Sequence, residues 1–169
     1  MIPELIVRDR DLRHRVRSLE TQESIPIVAR YSTDAGQSIP NNTLTIVNFE
    51  DLVIDTWSAV TVGASWAFTA PVGGYYQVSV YIEFAATTNW VVGERAEMAL
   101  YKNGGAGAIL DAQENHGTTS HRVTLQGDDV VELAAGDTLN VRVTQVSGAA
   151  LALRALGDNN HVAIHRIGD

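Results

Sequence analysis

Trp66-Ala67-Phe68-Thr69-Ala70-Pro71-Val72-Gly73-Gly74-Tyr75-Tyr76-Gln77-Val78-Ser79-Val80-Tyr81-Ile82 is the stretch that decides the fold. From Tyr76 to Ile82 every second side chain is apolar, the period of a strand with one face in a core. Pro71-Val72-Gly73-Gly74 is a turn signal, and Trp66–Thr69 reads as a short aromatic strand before it. The same grammar continues on both sides. Strand-like runs fall at Ile25–Tyr31, Leu44–Phe49, Val53–Trp57, Glu94–Tyr101, His121–Leu125, Val130–Leu133, Leu139–Val146 and His161–Ile167. Asn103-Gly104-Gly105, Gly127-Asp128-Asp129 and Gly136-Asp137 punctuate them as turns, and the small-residue patches at 104–108 and 147–152 read as loops or small-residue packing. Many short strands separated by turns predict a two-sheet sandwich or barrel, with the jelly roll as the usual solution.

The first twenty residues differ from everything after Pro26. Ile2, Leu5, Leu12, Val16 and Leu19 fall on a and d heptad positions, which predicts a short helix over about 3–20. Arg15 can meet Glu20 of a parallel neighbour, whereas Arg8 and Arg13 repel. A helix this short is marginal alone, so the segment makes sense as the stalk of an oligomer held together elsewhere. The reading is two parts: a heptad stalk or adaptor over 1–24, and a β body over 25–169.

The chain has 169 residues, no cysteine and a net charge of −8. The body is large enough to form a core without disulfides or metals. Residues 1–20 carry Arg8, Arg10, Arg13, Arg15 and Arg17 against four carboxylates, near +1, so the body is near −9. An acidic body argues against nucleic acid as a partner. No apolar run approaches the roughly 20 residues of a membrane span, and the N-terminus lacks the apolar region of a signal peptide.

The 66–80 stretch resembles the centre of the complement C1q-like globular head, which carries an aromatic strand, a proline–glycine turn and a Gly-hydrophobic-Tyr strand opening. Ala99-Leu100-Tyr101-Lys102-Asn103-Gly104 is similar to that family's Lys-Asn-Gly hairpin. Val130-Val131-Glu132-Leu133-Ala134-Ala135-Gly136-Asp137-Thr138-Leu139 resembles its Gly-Asp strand pair, and His161–Ile167 its closing strand. The resemblance spans about 25–168. It implies an all-β, ten-stranded jelly-roll sandwich of the C1q/tumour necrosis factor type, assembled as a homotrimer, here with a short N-terminal α-helical stalk.

Animal members would carry a collagen stem; here the heptad segment stands in its place. By analogy of fold, that combination points to phage virion proteins on a tail, fibre tip or capsid surface. The expected role is non-enzymatic: a displayed structural protein binding a host-surface glycan or protein. Ile2, Leu5, Leu12, Val16 and Leu19 would form the trimer stalk, and Arg8, Arg10, Arg13, Arg15 and Arg17 would dock on other virion proteins. The competing readings are a capsid decoration or head-fibre protein that only docks on the particle, and a secreted bacterial C1q-like binding module.

Candidate chemistry is thin. Gly63-Ala64-Ser65-Trp66-Ala67 is one residue short of a nucleophile elbow, which needs a strand-to-helix turn that nothing here predicts. His161 and His165, four apart on a strand, would lie about 13 Å apart on one face, too far to share a metal. Alternatively, three copies of one histidine could converge at a threefold axis and titrate together. Asp111, Asp128 and Asp129, with Glu114 and Asp158, sit in predicted loops and are candidate calcium ligands; turn chemistry and surface charge is the plainer reading. Trp90, with Asn89, is the candidate ligand contact, because exposed tryptophans serve as binding anchors. The competing role for Trp90 is packing under a loop or at a subunit interface.

Overall fold

The computed structural model describes residues 25–85, 90–116 and 122–169. The heptad segment, its five arginines and Asn89 lie outside these residues, as does His121. The described part is all β apart from one short 3-10 turn, Gly157–Asn159. In chain order the strands are β1 (Val28–Thr33), β2 (Ser38–Ile39), β3 (Thr45–Ile46), β4 (Asp51–Asp55), β5 (Val60–Thr61), β6 (Ala67–Thr69), β7 (Gly74–Glu83), β8 (Arg95–Lys102), β9 (Gly105–Glu114), β10 (Thr124–Leu133), β11 (Thr138–Val146), β12 (Leu151–Ala152) and β13 (Asn160–Gly168).

Two antiparallel sheets face each other. Sheet A runs β10-β7-β13-β1-β4, and sheet B runs β5-β6-β11-β8-β9, with β3 added on β11. Those two five-strand paths are the ten strands of a jelly roll; β2, β3 and β12 are two-residue additions. The alternation read from Tyr76 to Ile82 is the pattern that builds sheet A: Tyr76, Val78, Val80 and Ile82 are buried between the sheets. Leu139, Val141 and Val143 answer from β11 in sheet B, and Trp66 is wedged edge-on against Phe49 and Tyr31, with ring centroids at 5.2 Å and 6.3 Å.

Asp55 fixes the turn after β4. Its carboxylate accepts from the Tyr31 hydroxyl and from the backbone N–H groups of Trp57, Ala59 and Val60, at 3.0–3.2 Å. Burial, then the bond to Asp55 and its charge, push the Tyr31 phenol up to about 12. The Asn103-Gly104 hairpin has φ of 51° and 78° at its two central residues, as a two-residue turn with a right-handed twist requires.

One expectation is corrected. Gly127-Asp128-Asp129 is not a turn: β10 runs unbroken through it, pairing with β7 over ten residues. The 104–108 patch is largely strand, the start of β9, where Gly107 packs close to the Leu100 carbonyl oxygen, and the 147–152 patch is a loop over 147–150 that ends in β12. The reason for Gly127 is close approach, because a Cβ there would sit 2.7 Å from the Leu110 carbonyl oxygen on β9. The sheets nearly touch at this margin, where Gln126 N–H donates to Asp111 Oδ2 at 3.0 Å. Gly127→Ala is therefore expected to destabilise the fold by about 1–3 kcal/mol through backbone displacement, read by urea unfolding; an unchanged midpoint would contradict the contact.

Candidate interaction surfaces

The register gives the body two unlike ends. At the base, Ile25 enters beside Trp57, whose Nε1–H donates to the Ile25 carbonyl at 3.4 Å, while Thr56 Oγ1 donates to the Pro26 carbonyl at 2.7 Å. The C-terminus also lies at the base, where Arg166 Nε donates to the Gly73 carbonyl and the guanidinium pairs with Asp169. Asp137 ties two base turns together. It accepts from Asn103 Nδ2 and Ala134 N at 2.8 Å and pairs with Lys102 Nζ at 2.9 Å. These bonds, Asn103 foremost, hold its carboxyl down to about 2. That contribution is complete above the usual carboxylate range and is lost as pH falls through about 2.

The opposite end, the apex, carries the C-terminal ends of β7, β9 and β11. Glu83 is its anchor: 4% exposed, it pairs with Arg154 Nη1 at 2.8 Å and Arg122 Nη1 at 3.3 Å, and accepts from Asn159 Nδ2 at 2.8 Å. The adjoining Trp90–Glu94 turn is pinned by Asn115, whose Nδ2 donates to the Trp90 carbonyl at 2.6 Å. Val91 N–H donates to Glu94 Oε2, which leaves Val91 and Val92 exposed at the tip.

The predicted site residues are not gathered into one place. Trp90 is corrected as a ligand contact: it is 2% exposed and packs edge-on against Phe84, so it supports the apex from beneath. Asp111 lies in β9, and Asp128 and Asp129 lie mid-strand in β10, not in loops. Successive strand residues face opposite ways, so Asp128 and Asp129 diverge, and Asp111 is taken up by Gln113 and the Gln126 amide. Among the described residues no three His, Cys, Asp or Glu side chains are placed to hold a metal ion. Ser65 stands in a turn that leads into β6, a strand, so the elbow context is missing. His161 and His165 share β13.

The surface that sequence reasoning missed is the outer face of sheet A. Cross-strand register lays it out in rows. One runs Asp128–Ser79–Ala163–Arg30–Ile54 across β10, β7, β13, β1 and β4. The row on the base side is Val130–Gln77–His165–Val28, and the row on the apex side is Gln126–Tyr81–His161–Ser32–Asp51. Ser79 and Ala163 are the small members of the central row, ringed by Gln77, Tyr81, His161, His165 and Arg30. Apolar ones stand open toward the base and the edge: Val130 at 51%, with Tyr75, Ile167 and, on the bulged edge strand β4, Ile54; Leu52, paired with the buried Tyr31, lies on the other side of that strand. The outer face of sheet B is different. There Arg142 lies 4.2 Å over the Tyr101 ring and its Nε donates to Asn140 Oδ1, and Ile109 on the edge strand β9 stands open. Apolar alternation on both sides of a strand was the one available sequence signal, and only β4 shows it as a run.

This strand order and these paired sheets are those of the C1q/tumour necrosis factor-like jelly roll. Comparison with solved structures gives the same answer. The chain is similar to the Eiger TNF of S. frugiperda, with TM-score 0.62 and 16% identity over 85% of this chain and 94% of that one. It is similar to the globular domain of zebrafish complement 1qA, at 0.56 and 14%, covering 83% and 95%. Murine APRIL aligns at 0.57 and 12%, covering 85% of this chain and 100% of that one. At these identities the likeness is one of fold. No protein-family model matches the sequence, and no curated protein does.

Proposed function

We propose that the chain is a non-enzymatic homotrimeric display protein of a phage particle. In this reading the outer face and β4 edge of sheet A form the contact between copies. Residues 1–24 leave the base to dock on other virion proteins. The apex points away from the particle, toward a host-surface glycan or protein. The observation that carries it is the set of open apolar residues on the outer face of sheet A, Val130, Tyr75 and Ile167 toward the base and Ile54 on the edge strand β4, beside the small Ser79 and Ala163. An apolar surface of that kind marks an interaction site, and a contact between unlike patches of identical chains closes into a ring of three when it turns each copy by a third of a full rotation. The virion assignment rests on the arginine-rich heptad segment that stands where animal C1q-like proteins carry a collagen stem.

Two tests follow. Ala163→Arg places a long cation at the centre of the face without touching the core, so monomers of native far-UV dichroism are expected by light scattering; an unchanged assembly would remove this face from the contact. Deleting residues 1–24 is expected to leave a folded, equally assembled body that still binds host cells or a glycan array but is absent from particles. Particles that carry the truncated protein would refute the docking role.

A further inference from the structure

The central row of the outer face of sheet A holds one cation and one carboxylate, on opposite flanks. Arg30 stands on β1 and Asp128 on β10, with Ser79 and Ala163 between them and Ile54 beyond Arg30. Both side chains point outward. Arg30 alternates with the buried Ala29 and Tyr31, and Asp128 is opposite Ser79, which lies between the buried Val78 and Val80. Arg30 is half-buried and Asp128 is exposed. Neither side chain has a hydrogen bond or ion pair among the described residues. They stand too far apart to pair within one chain: β1 and β10 are three strands apart in sheet A, about 14 Å at the usual spacing. The other carboxylates of this face are placed differently. Asp51 accepts from the Asp34 N–H at 3.3 Å, and Glu132 lies four residues along β10 from Asp128, about 13 Å nearer the base.

We propose that Arg30 of one copy pairs with Asp128 of the next, and that this ion pair sets which flank of each chain meets which. The proposal rests on the reading that the outer face of sheet A is the contact between copies. In that reading the axis of the ring runs from base to apex, along the strands. Rotation about an axis leaves height along it unchanged, so the groups of one row meet the same row of a neighbouring copy. A head-to-tail ring also sets one flank of each copy against the opposite flank of the next. Arg30 lies toward the β4 flank and Asp128 on the β10 flank, so the ring brings unlike charges together at one height. Glu132 sits too near the base to serve the same cation. Covering Arg30 without a counter-charge is strongly unfavourable, and its cross-strand neighbours Ala163 and Ile54 offer none. A guanidinium is a planar fork that a carboxylate fills with two hydrogen bonds, so the pair fixes orientation as well as charge. The ring closes with one such pair at each junction.

The test is the mass of the full chain at neutral pH over a concentration series, by sedimentation equilibrium, with far-UV dichroism on the same samples. Losing a desolvated pair weakens a junction at least about tenfold, and a ring of three has three junctions. Arg30→Glu and Asp128→Arg alone are therefore each expected to raise the trimer dissociation constant at least about 10³-fold, with the fold intact. The Arg30→Glu/Asp128→Arg double variant exchanges the two charges and should return to within about tenfold of wild type. A trimeric wild type whose single variants assemble equally well overturns the inference and leaves the trimer reading standing. So does a double variant as dissociated as the singles. A wild type that stays monomeric overturns the trimer reading and the inference with it. If a reversed charge disturbs the dichroism signal, the neutral set Arg30→Gln, Asp128→Asn and their combination is read as a double-mutant cycle. The combined loss is expected to fall short of the sum of the single losses, and a full sum means that the two side chains do not meet.

Discussion

Glu83→Ala is expected to lower stability by about 3–5 kcal/mol, the range for removing one partner of a buried ion pair. The carboxylate is inside the protein, and three side chains converge on it. Removing it leaves the Arg154 guanidinium, whose side chain is 26% exposed, and Asn159 Nδ2 without their acceptor. Arg122 is half exposed, so water replaces its lost contact and it adds little. The loss should be local to the apex at first, because β13 begins there: Asn160 Oδ1 accepts from Glu83 N–H at 2.8 Å. Denaturant unfolding measures the cost, and hydrogen exchange should show the 153–160 connection opening before the sheets. A midpoint within about 0.5 kcal/mol of wild type, as for an ordinary surface substitution, would show that this network does not hold the apex.

Trp66→Ala is expected to cost about 3–5 kcal/mol, the range for truncating a buried aromatic. Trp66 is 1% exposed and fills the space between the sheets against Phe49 and Tyr31. Its indole N–H has no hydrogen-bond partner among the described residues. Trp66→Phe therefore gives up volume but also removes an unsatisfied donor, and should cost markedly less than alanine. For a chain of this size the alanine variant should melt roughly 10–15 °C lower, at a protein concentration matched to wild type because association shifts the transition. Equal losses for alanine and phenylalanine would mean that the indole's shape, not its bulk, is what the core requires.

The parts of the fold that were legible in sequence are those in which one physical demand acts alone. Tyr76–Ile82 and Leu139–Val146 alternate because one face packs and the other does not. Asn103-Gly104 announces its hairpin because few other pairs adopt positive φ at both positions. The misreadings come from residues that meet two demands. Gly107 and Gly127 look like turn residues, yet each is a strand position where a carbonyl of a neighbouring strand leaves no room for a Cβ. Asp128 and Asp129 beside Gly127 complete a false turn signal. Trp90 could be read as an anchor or as packing under a loop, and its burial, which decides for packing, depends on Phe84 and on the Asn115 clamp from a connection 25 residues away. The outer face of sheet A was illegible for another reason. Its residues come from five strands between Val28 and Ile167, and only the cross-strand register brings Arg30, Ala163, Ser79 and Asp128 into one row.

The claim on which the rest depends is that sheet A covers itself with further copies of the same chain. Its most direct test is the mass of the full-length protein in solution at neutral pH, by sedimentation equilibrium or native mass spectrometry over a range of concentrations. Three chains of 18.3 kDa give a particle of about 55 kDa, and that species should dominate. A folded particle of 18.3 kDa that persists as concentration is raised would contradict the claim.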